Sequence, residues 1–414
     1  MSAAPTPRRV AIAAFGDPGH AFPAIALGAE LVRRGHEVQL ETWSRWEEDV
    51  RREGMRFAAS DEGAAFDPSA GWLKPYQAAV RAARATAPVL AEFDPDVVVV
   101  DILTTAASLS AEMNGKPWAT LVPHVLPTPA PGFPPYSIGA RLPKTAFGRA
   151  LWNAMDPLVQ SGQRQGRDEI NGARERVGLP PLPWLHNGMS RRLTLCATFP
   201  HLEYPRARVE PWVETTGPLL WERPFGDVEL PPGDAPLVLV APSTSQDPEQ
   251  RMLAAALEGL AGAPVRVLAT YNRRPPPRPL AVPPNARLVE WVSYARTMPL
   301  CAAVVCHAGH GTVARSLTCG VPVVACPAAG DMAENAARAA WAGVGVSLPR
   351  RLVTPRGVRL AVERLLSRPS YAERARELRD WASEHDGAER AARAVEAFAA
   401  REAIGRRARS AAPA

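Results

Sequence analysis

At 414 residues the chain exceeds the size at which one core keeps growing, and 46% hydrophobic with 22% charged residues excludes a disordered or fibrous protein. The formal charge of +6 is slight for this length, and the arginines spread along helix-like stretches such as "RARELRD" form no basic stripe with interleaved aromatics, which argues against nucleic acid as a partner. Five cysteines, Cys196, Cys301, Cys306, Cys319 and Cys326, are odd in number and contain no CxxC pair, so they read as small buried hydrophobes in a reducing compartment.

The first stretch, "PRRVAIAAFGDPGH", sets two arginines before an apolar run as a signal peptide would, but Asp17 interrupts it and no cleavage-like site follows. No apolar run approaches the roughly 20 residues that span a bilayer. A cytoplasmic protein without stable membrane insertion is expected. The runs "VAIAAF", "EVQLET", "DVVVVD", "WATLVP" and "LTLCAT" then follow in order, separated by helical stretches such as "PAIALGAELVRRGH" and "AASLSAEMNG". Short, β-rich and almost continuously apolar, they predict parallel strands buried on both faces by crossover helices.

Between the last two runs lies "PHVLPTPAPGFPPYSIGARLPKTAFG", whose prolines forbid a strand or helix interior. A loop of that length is a lid or pocket wall, or else a surface excursion. The segment "TGPLLWERPFGDVELPPGDAP" has no periodicity and reads as a linker. After it the strand grammar restarts with "LVLVAP", "VRVLAT", "ARLVEWV", "AVVCHAG", "PVVACP" and "GVSLP". The expected organisation is therefore α/β, with two doubly wound Rossmann-like domains at 1–215 and 236–385 joined by a linker at 216–235. Residues 386–414 form a final amphipathic helix, expected to pack back on the first domain, and a basic tail.

Three stretches place reactive groups at strand ends, where open α/β sheets bind ligands. In "CHAGHGTVARSLTCGVP" a strand runs into a turn and then a helix that Gly320 and Pro322 terminate. Gly309 and Gly311 let backbone approach a ligand, and the free N–H groups at the helix start favour an anion that His307 and Thr312 can also bond. The alternative is a glycine-rich turn with two exposed histidines. In "CPAAGDMAEN", Asp331, Glu334 and Asn335 are placed to meet hydroxyls of a group attached to that anion, unless Asp331 is simply a helix N-cap. In the first half, His20 follows the first strand and Asp101 ends "DVVVVD", so the carboxylate can orient the imidazole, or cap the next helix. His36, before a strand on the far side of the helix, reads as structural. The "DPD" at 94–96 imitates a metal-binding DxD but sits where Asp-Pro is ordinary turn chemistry.

The stretch "HAGHGTVARSLTCGVPVVACPAAGDMAENAARAAWAGVGVSL" resembles the donor-binding signature of the GT-B nucleotide-sugar glycosyltransferases, in particular the bacterial natural-product and macrolide branch of the UDP-glycosyltransferase family. The resemblance continues in "GDPGHAFPAIALGAELVRRGHEV", "TGPLL", "VEWVSYARTMPLCAAVVCHAG" and "GAERAA", and covers most of the chain. It implies two domains facing each other across a cleft, the first binding the acceptor and the second the nucleotide sugar. It also implies an inverting transfer in which His20 deprotonates the acceptor hydroxyl with Asp101 as its partner. By the same resemblance His307, Gly309, Gly311 and Thr312, with Ser243 and Thr244 of "APSTSQ", hold the diphosphate. Trp291 and Val292 hold the base, and Asp331 contacts the sugar.

The family usually has Gln where this chain has Met332, and a thioether pairs poorly with a hydroxyl, so a deoxysugar carried on dTDP or UDP is the expected donor. Phe66, Trp72 and Tyr76, with Phe133, Tyr136 and Trp152, supply an apolar wall suited to a polyketide, macrolide or aromatic aglycone. No metal or cofactor is implied. The expected partners are the nucleotide sugar and a small-molecule acceptor, with the chain a monomer or homodimer, and an activator protein is compatible with the sequence. Two other readings use the same residues: a nucleotide-sugar epimerase, which would not need the apolar wall, and a non-catalytic nucleotide-binding module. A nicotinamide dehydrogenase fits less well, because "GDPGHAFP" lacks the third glycine of GxGxxG.

Overall fold

The eleven apolar runs fold as parallel strands in two sheets, which among the described residues hold thirteen strands. A computed structural model describes residues 6–60, 75–184, 188–243, 247, 249–328 and 330–411. The first domain contains β1 (Arg9–Ala13), β2 (Glu37–Thr42), β3 (Arg56–Ala59), β4 (Val97–Asp101), β5 (Trp118–Val122), β6 (Thr194–Cys196) and β7 (Val213–Thr215), ordered β3-β2-β1-β4-β5-β6-β7. The second contains β8 (Leu237–Ala241), β9 (Arg266–Thr270), β10 (Ala286–Val289), β11 (Ala303–Cys306), β12 (Val323–Ala325) and β13 (Gly345–Ser347), ordered β10-β9-β8-β11-β12-β13. Val97 to Val100 and Leu237 to Ala241 are buried throughout, because helices cover both faces of each sheet. Two strands have no counterpart among the apolar runs. β3 lies at a sheet edge with its residues partly exposed, and β7 is a three-residue edge strand, so neither carries a buried strand's pattern.

In each sheet the strand order reverses once, between β1 and β4 in the first and between β8 and β11 in the second. Chain crossovers leave to opposite sides at such a point, which opens a crevice at the carboxyl ends of the strands. His20 and Asp101 follow or end the two strands at the first reversal, and His307 follows one of the two at the second. Topology thus delivers the sequence-selected residues to the two crevices.

Residues 216–235 have no regular structure but are tied down. Leu219 is buried in the first core, Leu220, Val228 and Leu230 pack on the second, and Trp221 donates to Glu53 at 2.8 Å. The final helix, Gly387–Ala411, returns to the first domain, where Ala391, Val395 and Phe398 join the core that holds Ile25 and Leu31. Its Glu396 takes bonds from Arg34 at 2.7 Å and pairs with buried His36 at 2.8 Å, so His36 holds this helix. A further connection runs from Arg338, in the helix Met332–Trp341, to the Leu202 carbonyl and the Glu203 carboxylate of the first domain, with its guanidinium 3.6 Å from the Tyr204 ring centre.

Candidate active site

His20 lies in the first turn of the helix Pro18–Arg33, where Pro18 at the start presets φ and gives up an N–H that had no partner to lose. β1 and β4 are neighbours in register, so this turn sits beside the end of β4. The His20 Nδ1 is 2.8 Å from Asp101 Oδ2, while Asp101 Oδ1 accepts the Leu103 N–H at 3.0 Å. A carboxylate at pH 7 only accepts, so Nδ1 carries the proton and Nε2 keeps the lone pair that a base needs. Burial alone would lower the His20 pKa, but the charge and hydrogen bond of Asp101 outweigh it, Asp331 and Asp17 add to them, and the pKa lies above 6.5.

The turn after β11 is shaped by backbone. Ala308 takes φ of 63°, a left-handed conformation unusual for a residue with a Cβ, and its carbonyl accepts the Asn335 amide at 3.1 Å. Asn335 also donates to Asp331 Oδ2 at 3.1 Å. A Cβ on Gly309 would stand 2.3 Å from the His307 Nε2, whereas one on Gly311 would meet open space. The helix His310–Thr318 then starts with no acidic residue in its first turn, leaving its N–H groups free for an anion.

His307 places Nδ1 3.3 Å from the Ala241 carbonyl, which can only accept, so in the neutral ring Nε2 has a lone pair and no proton. Burial lowers its pKa and keeps it neutral. His310 is 8% exposed, which overturns the picture of two solvent-exposed histidines. Neither of its ring nitrogens has a well-formed hydrogen bond, and burial pushes its pKa down to about 4.

One pocket runs between the domains, walled by Pro18, Gly19 and Phe22 of the first and by His307, Gly309, Gly311 and Thr312 of the second. Trp291 and Val292 line its far end beside Tyr294 and Asn272, and Arg273 lies 5.0 Å from the Trp291 ring centre. Ser243 is buried past the end of β8, and Thr244 lies outside the described residues. Asp331 occupies the N-cap position of Met332–Trp341 but makes no capping bond, so the capping alternative fails. Its charge instead favours the protonated forms of His20, His124, His307 and His310. Met332 packs on the second core.

Several expectations are corrected. Glu334 is buried against Arg338 at 2.7 Å and Asn335 donates its amide to the Ala308 turn, so both are engaged in the fold, while Glu334 Oε2 and Asn335 Oδ1 have no well-formed hydrogen bond among the described residues. Phe133 packs edge-on against Tyr204 with Arg206 over its face, buttressing the loop instead of forming a free wall. Trp152 sits in the helix Ala146–Asn153, which buries no residue fully and exposes Phe147 by 82%. Phe66 and Trp72 lie outside the described residues, as does the side chain of Tyr76.

Tyr136 does reach the site. Its hydroxyl is 3.1 Å from His124 Nδ1 and the rings stack at 5.8 Å, while His124 lies 6.5 Å from the His20 ring. His124 donates from Nδ1 to the Val125 carbonyl at 2.8 Å, and burial keeps it neutral. Sequence reading passed over it, although it directly follows β5 and the strand-end argument that selected His20 applies to it equally.

Two crevices, a carboxylate-paired imidazole in one and an anion-ready helix start in the other, flank the pocket between the two domains. Residues 10–115 match the glycosyltransferase family 28 N-terminal domain, and residues 255–397 match the C-terminal domain described as erythromycin biosynthesis protein CIII-like. Together the matches span more than half of the chain, which belongs to the GT-B glycosyltransferases of the antibiotic and natural-product type. The 4'-demethylrebeccamycin synthase of Lentzea aerocolonigenes is 28% identical over 410 residues, covering 90% of this chain and 95% of the relative. The O-mycaminosyltylonolide 6-deoxyallosyltransferase of Streptomyces fradiae is 28% identical over 430 residues, covering 94% and 97%. The crystal structure of the calicheamicin glycosyltransferase superposes with a TM-score of 0.76 at 23% identity, over 95% of this chain and 99% of that one, a likeness of fold. Among the described residues no helix is long and apolar enough to cross a membrane.

Proposed function

We propose that the protein transfers a deoxysugar from a dTDP- or UDP-sugar to a hydroxyl of an apolar natural product, inverting the anomeric centre. The observation that carries this reading is the His20–Asp101 pair at 2.8 Å, across the cleft from Asp331 and the helix start at His310. His20 Nε2 takes the acceptor proton, and the freed oxygen attacks the sugar C1 from the face opposite the diphosphate. The bond from C1 to the phosphate oxygen breaks, and its electron pair leaves with the nucleotide. Asp101 stabilises the imidazolium that forms. Asp331 bonds the sugar, and Met332, with no strong hydrogen-bonding atom, tolerates a missing hydroxyl. A relative whose name specifies 6-deoxyallose supports the deoxysugar. Tyr136 and the proline-rich loop receive the acceptor. We place the reaction in the cytoplasm, in keeping with five cysteines that are all free thiols.

A mass-spectrometric screen of dTDP- and UDP-sugars against polyketide and flavonoid acceptors tests the reading. A product heavier than the acceptor by one deoxyhexosyl unit is expected. Conversion of the nucleotide sugar to a stereoisomer without acceptor would show an epimerase instead. Nucleotide binding without turnover on any acceptor, and with no response to loss of His20, would show a binding module.

A further inference from the structure

The donor pocket has a charge requirement that the motif residues leave unmet. When the bond from the sugar C1 to its phosphate oxygen breaks, the departing diphosphate gains a negative charge. Backbone N–H groups at the start of His310–Thr318 supply only partial positive charge, and buried His307 is neutral until it takes up a proton. Among the described residues that line this pocket, Arg315 is the one permanent cation.

Arg315 follows Gly311 by four residues and Thr312 by three, so it shares their face of the helix. Helical side chains tilt toward the helix N-terminus, which carries the guanidinium back toward the turn. The side chain is mostly desolvated, and among the described residues no carboxylate forms an ion pair with it. Glu222, whose charge acts on it, is already committed to the Ser293 hydroxyl and to the Ala295 N–H at 3.1 Å. A desolvated cation without a counter-ion is costly, and a phosphate oxygen removes the cost.

We infer that Arg315 is the counter-cation of the donor diphosphate, pairing with its oxygens in the bound nucleotide sugar and holding the charge that collects on the departing nucleotide. This deepens the nucleotide-sugar reading and rests on it.

Calorimetry with dTDP, UDP, thymidine and uridine on the full chain, the Arg315→Gln variant and the Arg315→Lys variant tests the assignment. Arg315→Gln should weaken both diphosphates by about ten- to hundredfold and the nucleosides by less than about twofold, with Arg315→Lys recovering part of the loss at an unchanged melting temperature. Equal weakening of nucleoside and diphosphate would move Arg315 to the ribose or base and overturn the inference. Unchanged diphosphate affinity in Arg315→Gln would overturn it too. If the unaltered protein binds neither diphosphate, the nucleotide-sugar reading itself fails.

Discussion

His20 and Asp101 are 81 residues apart in the chain and 2.8 Å apart in the fold, joined because β1 and β4 are neighbours at the point where the strand order reverses. The carboxylate fixes which ring nitrogen keeps its lone pair and raises the pKa of the ring. Replacing His20 with Ala should lower turnover by roughly 10² to 10⁴ with dTDP affinity nearly unchanged. In the intact enzyme activity should fall as pH drops through the raised His20 pKa, because the protonated ring cannot accept a proton. In Asp101→Asn burial loses its main opposing charge, with only the weaker effects of Asp331 and Asp17 left, so the acid limb should move to lower pH while the maximal rate falls. A rate that recovers in that variant simply on raising the pH would contradict this, and a pH–rate profile decides it.

His307 donates from Nδ1 to the Ala241 carbonyl and meets the pocket as a neutral ring. To bond a phosphate from Nε2 while keeping that contact it must become an imidazolium, so diphosphate binding should take up a proton at this residue. Affinity for dTDP should therefore rise as pH falls, and the rise should shrink in His307→Ala. That variant should also bind dTDP and dTDP-sugar more weakly by similar factors, about tenfold. Calorimetry in buffers of different ionisation enthalpy measures the protons. Identical uptake by variant and parent would show that the titration belongs to the nucleotide alone.

Gly309 has no room for a side chain, since its Cβ would stand 2.3 Å from the His307 Nε2. Gly309→Ala should displace the ring and mimic His307→Ala in dTDP affinity. Because both changes remove one contact, the double variant should be no weaker than either single variant, a non-additivity that separates this effect from general damage. Additive losses across the cycle would refute the coupling.

Asp331 stands free of capping duty and within electrostatic reach of His20. Asp331→Ala should spare free dTDP and weaken only the sugar-bearing donor, by about tenfold for a lost hydrogen bond to a charged group. Met332→Gln should shift preference toward glucose-type donors by supplying a partner for the hydroxyl that a deoxysugar lacks. Comparing dTDP, a dTDP-deoxysugar and UDP-glucose on the two variants tests both. Equal loss for all three ligands in Asp331→Ala would remove it from the sugar pocket.

The amino-acid sequence by itself determined the doubly wound architecture and the strand ends at which chemistry is offered. Strands buried on both faces are written as continuous apolar runs, and glycine-rich turns at their carboxyl ends can be read locally. The same local reading failed for β3 and β7, whose exposed edges carry no such run. Tertiary structure alone decided the states of the histidines. His307 and His310 have lowered pKa values because residues distant in the chain desolvate them, and that of His20 is raised because Asp101 outweighs the same burial. It also decided that the Asn335 amide donates to the Ala308 turn, that Glu334 pairs with Arg338, and that Phe133 leans on Tyr204. The neighbours of His124 and the place of Arg315 on the pocket wall are likewise set by the fold. A sequence names the groups that can hold a proton or a charge, but desolvation and neighbouring charge, which come from packing, decide which of them do.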